Sequence, residues 1–460
     1  MQQYLIPPQI YGDTPDNLLS FFCHFAQQPW AMLLDSAAPQ HVNSRYDILV
    51  AEPLATLEAQ NGASILTDEH GAHSYHEDPF LVLNCALKRY FPQQVNNSAL
   101  PFIGGALGYF GYDLGRYIEK LPATAKADIS LPDMAVGFYR WALVLDKQLQ
   151  QLWYVDYQGD AQAGWQKLHT RLQQKSAPAA PFSLRSDWQA NMDKAGYVAR
   201  FNQVQEYLLS GDCYQINLTQ RFSAGYHGDE WQAYLQLRDK NAAPFSAFIR
   251  LPQGAVLSIS PERFLQLHNG KVETKPIKGT RPRGICPLTD EVEADNLRNS
   301  AKDRAENVMI VDLLRNDLGK VCLPGSVAVP QLFAIESFPA VHHLVSTVTG
   351  TLAPEYSACD LLRGAFPGGS ITGAPKVRAM QIIEQLEPQR RSVYCGAIGY
   401  INSNGDMDTN IAIRTLICSK GQIHCQAGGG IVADSEADSE YQETLDKLNK
   451  ILPVLAAKGQ

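Results

Sequence analysis

The 460-residue chain has no basic stretch, and its 39 Lys and Arg against 47 Asp and Glu leave a net charge of −8. Proteins that grip nucleic acid or an anionic membrane surface present clustered cations, so neither partner is expected. No apolar run approaches the roughly 20 residues that cross a bilayer. The opening Met1-Gln2-Gln3-Tyr4-Leu5-Ile6-Pro7-Pro8 shows neither a basic leader nor an apolar core, so no secretory signal is expected. The nine cysteines are scattered without a Cys-x-x-Cys pair, which predicts free thiols in the reducing cytoplasm. None sits in a Gly-x-Cys-x-Gly setting, so a glutamine-splitting cysteine nucleophile is not expected. Repeats and low-complexity tracts are also missing. What remains, 45% hydrophobic and 19% charged, is the composition of a globular protein able to bury a large core.

The clearest break is Lys175-Ser176-Ala177-Pro178-Ala179-Ala180-Pro181, a small-residue and proline stretch that reads as a linker. It divides the chain into an N-terminal region (1–174), a connection (175–190) and a larger region (191–456). Short strand patterns at 46–50, 137–145 and 152–157 precede the break. Between them, Gly104-Gly105-Ala106-Leu107-Gly108-Tyr109-Phe110-Gly111 fails the dinucleotide-binding pattern at Ala106 and reads as a tightly packed turn. After the break, Tyr197, Phe201, Val204 and Leu208 recur at helical spacing up to Ser210-Gly211. Strands joined by tight turns, interspersed with helices and lacking a βαβ rhythm, predict an α+β fold on antiparallel sheets.

Two hairpins carry Asn-Gly turns, whose two positions both take positive φ. The first turn, Asn269-Gly270, sets His268 opposite Lys271, and counting outward brings Glu262 opposite Ile277, one residue from Lys278. A surface ion pair is the ordinary reading of such neighbours. Their place at a strand end flanked by Pro261, Pro276 and Gly279 favours a functional one. The second hairpin runs over 394–402, turns at Asn404-Gly405 and returns over 407–418. A turn at Lys420-Gly421 then sets Arg414 opposite Ala427, beside Gly428-Gly429-Gly430. Guanidinium and glycine backbone together make a carboxylate nest; alone, the glycines equally suit a bulge.

Gly368-Gly369-Ser370-Ile371-Thr372-Gly373-Ala374-Pro375-Lys376 resembles a phosphate loop but has Ala-Pro where Lys-Ser/Thr should follow. The turn still feeds a helix whose apolar face is Val377, Met380, Ile383 and Leu386. Asp303 and Glu306 share one helical face, and Glu440, Glu443 and Lys447 share another. These faces are either solvated or the hard oxygen ligands of a Mg²⁺ ion.

Taken together, Ser260-Pro261-Glu262-Arg263-Phe264, Pro276-Ile277-Lys278-Gly279-Thr280, Asp303-Arg304-Ala305-Glu306-Asn307, Val341-His342-His343-Leu344-Val345-Ser346, Gly373-Ala374-Pro375-Lys376, Ile413-Arg414-Thr415 and Gly428-Gly429-Gly430 closely resemble the chorismate-utilising enzymes. The likeness spans essentially the whole chain and is densest from Asp193 onward. It implies two packed antiparallel sheets flanked by helices in one large unit, with a chorismate and Mg²⁺ pocket. By the same resemblance Glu306 and Glu443 are the Mg²⁺ ligands, supported by Asp303 and Glu440. Arg414, Tyr400, Gly429, Gly430 and Lys447 match groups that hold the substrate's carboxylates; His343, Ser370, Thr372, Gly279 and Thr280 match the pocket wall. Glu262 matches the acid beside the departing hydroxyl.

Members that form anthranilate resemble this chain but carry alanine at the position of Lys278, and isochorismate-forming members carry lysine at that of Gln215. The combination here implies the branch that aminates chorismate at C4, with Lys278 as a covalent nucleophile, in the route to para-aminobenzoate and folate; the alternative is the anthranilate-forming branch. Ammonia would come from a separate glutamine amidotransferase subunit. Leu33-Leu34-Asp35-Ser36 resembles one half of a tryptophan pocket whose partner motif is Asn-Pro-Phe-Ser. Here that partner reads Ala243-Pro244-Phe245-Ser246, so Ser36, Pro244, Phe245 and Ser246 are expected to line a tryptophan site, and feedback inhibition does not follow.

Overall fold

Alternating apolar residues in short runs give two large antiparallel sheets packed face to face. The structure, a computed structural model, describes residues 2–7, 17–38, 41–93, 98–174, 179–338 and 341–456. A 13-stranded sheet runs in the order Gln2–Leu5, Gln151–Asp156, Trp141–Asp146, Tyr46–Val50, Met32–Asp35, Phe245–Leu251, Gly254–Ser260, Thr415–Ser419, Gln422–Ile431, Gln215–His227 and Ser183–Leu184, with Gln189–Ala190 and Gly373–Ala374 beside the long strand Gln215–His227. A 12-stranded sheet runs Ile277–Pro282, Val341–Thr351, Lys271–Thr274, Arg263–His268, Met407–Ile411, Ala397–Asn402, Gly105–Phe110, Met134–Tyr139, Ala55–Gln60, Ala63–Asp68 and Gly71–Tyr75, with Ala328–Ser337 on the edge of Val341–Thr351. Strands from both sides of the 175–190 connection thus enter both sheets. Of that connection, residues 175–178 lie outside the described residues.

Between the sheets, Met32, Ile48, Val50, Ile249 and Val256 of one meet Leu107, Tyr109, Ala135, Tyr139 and Ile398 of the other. The outer faces are covered by helices. Pro79–Tyr90, Ala301–Gly319 and Ala358–Ala365 pack on one side, whereas Lys376–Leu386 lies against Gln215–His227 of the 13-stranded sheet. Asn17–Phe22, Ala161–Leu172 and Glu230–Asn241 pack on the other. All nine cysteines are free thiols, and no helix among the described residues is long and apolar enough to cross a membrane.

Three local expectations need correction. The segment 104–111 is a buried strand, Gly105–Phe110, not a turn. Its glycines admit neighbouring backbone, since a Cβ on Gly108 would stand 2.1 Å from the Ala135 carbonyl oxygen. The run 407–418 is two strands in different sheets, Met407–Ile411 and Thr415–Ser419, and Arg414 at φ 50° lies in the crossing between them. Val377 is 37% exposed, outside the apolar face of its helix.

Candidate active site

The Asn269-Gly270 turn, at φ 50° and 72°, fixes the register His268↔Lys271, Leu267↔Val272 and Gln266↔Glu273. A bulge at Phe264 and Pro276 then break the ladder, and Ile277 pairs instead with Val345. Glu262 nevertheless meets this return strand, because its carboxylate is approached by the backbone of Ile277. The Glu262 backbone is held by the Ile411 amide, which donates to its carbonyl at 3.0 Å.

Ser370 joins Glu262 to Lys278. Its hydroxyl donates to Glu262 Oε1 at 3.3 Å, and its carbonyl accepts from Lys278 Nζ at 3.1 Å. Burial raises the Glu262 carboxyl above the ordinary range, with Lys278 opposing the shift. Burial also lowers the Lys278 ammonium, opposed by Glu262 and Glu306 and helped by the nearby cation Lys447. Both groups are therefore pushed toward their neutral forms.

Gly279, at φ 77°, brings the backbone after Lys278 against the helix Ala301–Gly319. A Cβ there would stand 2.8 Å from both Asp303 Cγ and Leu297 Cδ1. Asp303 is paired with Arg281 at 3.0 Å. On the same helix Glu306 has its carboxyl raised by burial, with Lys278 and Lys302 opposing and Asp303 and Glu440 adding to the shift. Thr280 pairs with His343 across the strands, and its Oγ1 lies 2.9 Å from His343 Nδ1. Burial and the Arg414 charge push that imidazole down to about 4, so it is neutral at pH 7.

The glycine triplet forms the opposite wall. Gly430 pairs with Asn217 and Gly429 with Leu218. A Cβ on Gly429 would stand 2.9 Å from Glu440 Oε2 and 3.4 Å from Glu443 Oε1, and one on Gly430 would stand 2.5 Å from Gln215 Nε2. Gln215 is fully buried, and neither end of its amide has a hydrogen-bond partner among the described residues. Lys447 is paired with Glu443 at 2.6 Å and donates to the Gly428 carbonyl at 2.8 Å. Glu440 is buried, accepts from Ser435 Oγ at 2.7 Å and lies 3.6 Å from Lys302. Arg414 faces Glu262 and makes no ion pair among the described residues.

Glu262, Lys278, Ser370, Gly279, Thr280, His343 and Arg414 thus form one neighbourhood, linked through Lys278 to Glu306 and Lys447. Thr372 is less open: it is fully buried, and its hydroxyl donates to the Gly368 carbonyl at 3.0 Å. Tyr400 stands elsewhere, lining a second cavity of about 1280 Å³ with Ser36, Pro244, Phe245 and Ser246. In that cavity the Ser36 hydroxyl donates to the Tyr46 carbonyl at 2.7 Å, and that of Ser246 to the Ala243 carbonyl at 3.0 Å.

Among the described residues no three carboxylate, imidazole or thiol groups converge as the ligands of one metal ion. Glu440 and Glu443 do meet over the missing side chain of Gly429, and Glu306 feels the charge of Glu440. These are hard oxygen donors, a set that fits Mg²⁺ rather than a softer metal.

A family model described as chorismate binding enzyme matches residues 30–453. The chain belongs to the chorismate binding enzyme family. It is 55% identical to aminodeoxychorismate synthase component 1 of Escherichia coli (strain K12), over 95% of each chain. The namesake from Klebsiella aerogenes is also 55% identical, over 95% of this chain and 96% of its own. Among solved structures, anthranilate synthase component I from Streptococcus pneumoniae TIGR4 superposes with a TM-score of 0.77 at 31% identity, covering 90% of this chain and 93% of the other. The two-sheet fold expected from the sequence is the family's.

Reading from the sequence missed Asn217, Glu387 and Arg391. Arg391 is 1% exposed and paired with Glu387 at 2.6 Å. Four-residue spacing of Glu and Arg was the only signal, and it marks surface helices more often than a buried clamp.

Proposed function

We propose that this enzyme replaces the C4 hydroxyl of chorismate with an amino group and retains the enolpyruvyl ether, giving 4-amino-4-deoxychorismate for para-aminobenzoate and folate synthesis. The single observation that carries this reading is Lys278: an amine held against Glu262 through Ser370, with both groups biased toward neutrality. The Escherichia coli and Klebsiella relatives named for the same reaction support it.

The chemistry needs both neutral forms. A lysine at its ordinary pKa is neutral in only about 1 molecule in 2,500 at pH 7, a handicap of about 5 kcal/mol that the burial of Lys278 reduces. Its free electron pair adds to C2 of the ring diene, the two double bonds shift, and the C4–O bond breaks. Hydroxide is a poor leaving group, so the neutral Glu262 carboxyl transfers its proton and water departs. Ammonia then bonds to C4, the double bonds shift back, the C2–N bond breaks to return the lysine amine, and the proton lost from the new C4 ammonium restores the Glu262 carboxyl. Without the lysine, ammonia itself would add at C2 and give an ortho amine.

Arg414, which makes no ion pair among the described residues, offers two parallel donors to a substrate carboxylate. The backbone of Gly429 and Gly430, Lys447 and the neutral His343 complete the cradle. Glu306 and Glu443, supported by Asp303 and Glu440, would hold Mg²⁺, which when bound draws charge from the ring carboxylate. Tyr400 joins the reading through the second cavity, where Ser36, Pro244, Phe245 and Ser246 would receive tryptophan. The "component 1" of the relatives' names, with no cysteine nucleophile for glutamine in this chain, supports a partner amidotransferase as ammonia source. Nine unpaired thiols support a cytoplasmic setting.

Incubating the enzyme with chorismate and Mg²⁺ but no ammonia is expected to leave an adduct on Lys278, seen by peptide mass spectrometry. An unmodified Lys278 under conditions that support turnover once ammonia is added would refute the covalent step.

A further inference from the structure

Next to Ser370 in the chain, the Ile371 carbonyl is one of three groups, two carbonyls and a carboxylate, that a buried arginine joins. Arg391 Nη1 donates to the Ile371 carbonyl at 2.9 Å, and Nη2 donates to the Asn217 carbonyl at 2.6 Å. Nη2 and Nε also bind the two carboxylate oxygens of Glu387, at 2.6 and 2.9 Å. Glu387 Oε1 in turn accepts from the amide and hydroxyl of Thr219, at 3.0 and 2.8 Å. The Ile371 carbonyl takes a second donor, Asn217 Nδ2, at 2.8 Å, and the Asn217 amide donates to the Thr372 carbonyl at 2.8 Å. The guanidinium also lies over the ring of Tyr112, 4.7 Å from its centre.

The arrangement has a direction. Ile371 follows Ser370, which touches both Lys278 Nζ and Glu262 Oε1. Asn217 lies opposite Gly430 in the strand pairing. One charged group, shielded from water, therefore ties the loop that orients the amine and the acid to the strand paired with the glycine wall. A fork with several fixed donors can bridge two carbonyls and a carboxylate at once, which the single ammonium of lysine cannot reproduce.

We propose that Arg391 is a positioning residue for the reaction: through the Ile371 carbonyl it fixes Ser370, and through Ser370 it sets the relative placement of Lys278 and Glu262. It does not touch substrate. The proposal rests on the reading of Lys278 and Glu262 as the reacting pair.

Two variants test it. Arg391→Lys keeps a cation against Glu387 but cannot reach all three partners. Asn217→Ala leaves the Arg391–Glu387 pair intact and removes only the second donor to the Ile371 carbonyl. Each is measured with ammonia for kcat and for KM of chorismate, and by hydrogen exchange of peptides covering 368–372, with the unfolding midpoint as a check of folding. The expected result is faster exchange in 368–372 in both variants. Along with it, kcat should fall ~10- to 100-fold in Arg391→Lys and less in Asn217→Ala, with KM within about threefold, as misplacement of reacting groups predicts. If Arg391→Lys does not fold, Asn217→Ala alone carries the comparison. Unchanged exchange, or faster exchange with kcat intact, overturns the proposal, as does a rise in KM at constant kcat. If the loop and kcat respond as expected while the wild-type enzyme forms no Lys278 adduct, the covalent reading fails and the positioning role stands through Glu262.

Discussion

Glu262 and Lys278 touch opposite ends of one residue: the Ser370 hydroxyl donates to the acid at 3.3 Å, and the Ser370 carbonyl accepts from the amine at 3.1 Å. The pair is thus bridged rather than fused into an ion pair, and each can hold the protonation state that the other's chemistry needs. Burial drives the separation, raising the carboxyl and lowering the ammonium.

The pH dependence of turnover follows from those directions. Lys278 must be neutral, so the rate rises with pH through its lowered pKa; Glu262 must be protonated, so the rate falls as pH passes its raised pKa. The profile of kcat/KM for chorismate is expected to be bell-shaped. Glu262→Gln should lower kcat by ~10²- to 10⁴-fold and abolish the alkaline limb. The acid limb should move to lower pH, because the carboxylate that favours the lysine ammonium is gone. A steady-state pH series on both proteins checks this.

Metal removal gives a second test. Chelation is expected to stop amination and added Mg²⁺ to restore it. Glu443→Gln and Glu306→Gln should each raise the Mg²⁺ concentration for half-maximal rate by ~10-fold or more, an effect of the size seen when metal-site groups are lost. Calorimetric titration of Mg²⁺ with chorismate present reads the same loss without turnover.

Gly279 has no room for a side chain. Its φ of 77° and the contacts of 2.8 Å that a Cβ would make with Asp303 and Leu297 predict that Gly279→Ala loses about 1–2 kcal/mol of stability from the backbone conformation alone. Because the displaced neighbour is Lys278, activity should fall further than stability; urea unfolding and steady-state rates on the same sample separate the two.

His343 makes stability depend on pH. Its folded-state value of about 4 lies below the ordinary 6.5, so between those values the unfolded chain takes up a proton that the folded enzyme refuses. Stability from this group is intact above pH 6.5 and is lost as pH falls toward 4. The loss is about 2 kcal/mol once screening of a half-buried ring is allowed for. Denaturant titrations at pH 7.5 and 4.5 should show a smaller difference for His343→Gln than for the wild type.

The hairpin register was legible as far as Gln266 and Glu273, because an Asn-Gly turn demands positive φ at both positions; the bulge at Phe264 and Pro276, which end that ladder before Glu262 and Ile277, were not legible. The crossing at Arg414 was not legible. Residues 407–411 and 415–419 are mostly buried, so no polar alternation marks where the chain leaves one sheet for the other. The strand Gly105–Phe110 was hidden for a related reason: glycines that usually punctuate turns here admit neighbouring backbone. The Arg391 clamp depends on partners 20 and 174 residues away, at Ile371 and Asn217, which no local pattern encodes. Tyr400 and Arg414 come from adjacent stretches, yet one faces the second cavity and the other faces Glu262.

Identifying the product made from chorismate, Mg²⁺ and ammonia tests the central claim most directly. The account predicts 4-amino-4-deoxychorismate with no release of pyruvate, and none of that para amine from Lys278→Met. Anthranilate with stoichiometric pyruvate from the wild-type enzyme would contradict it.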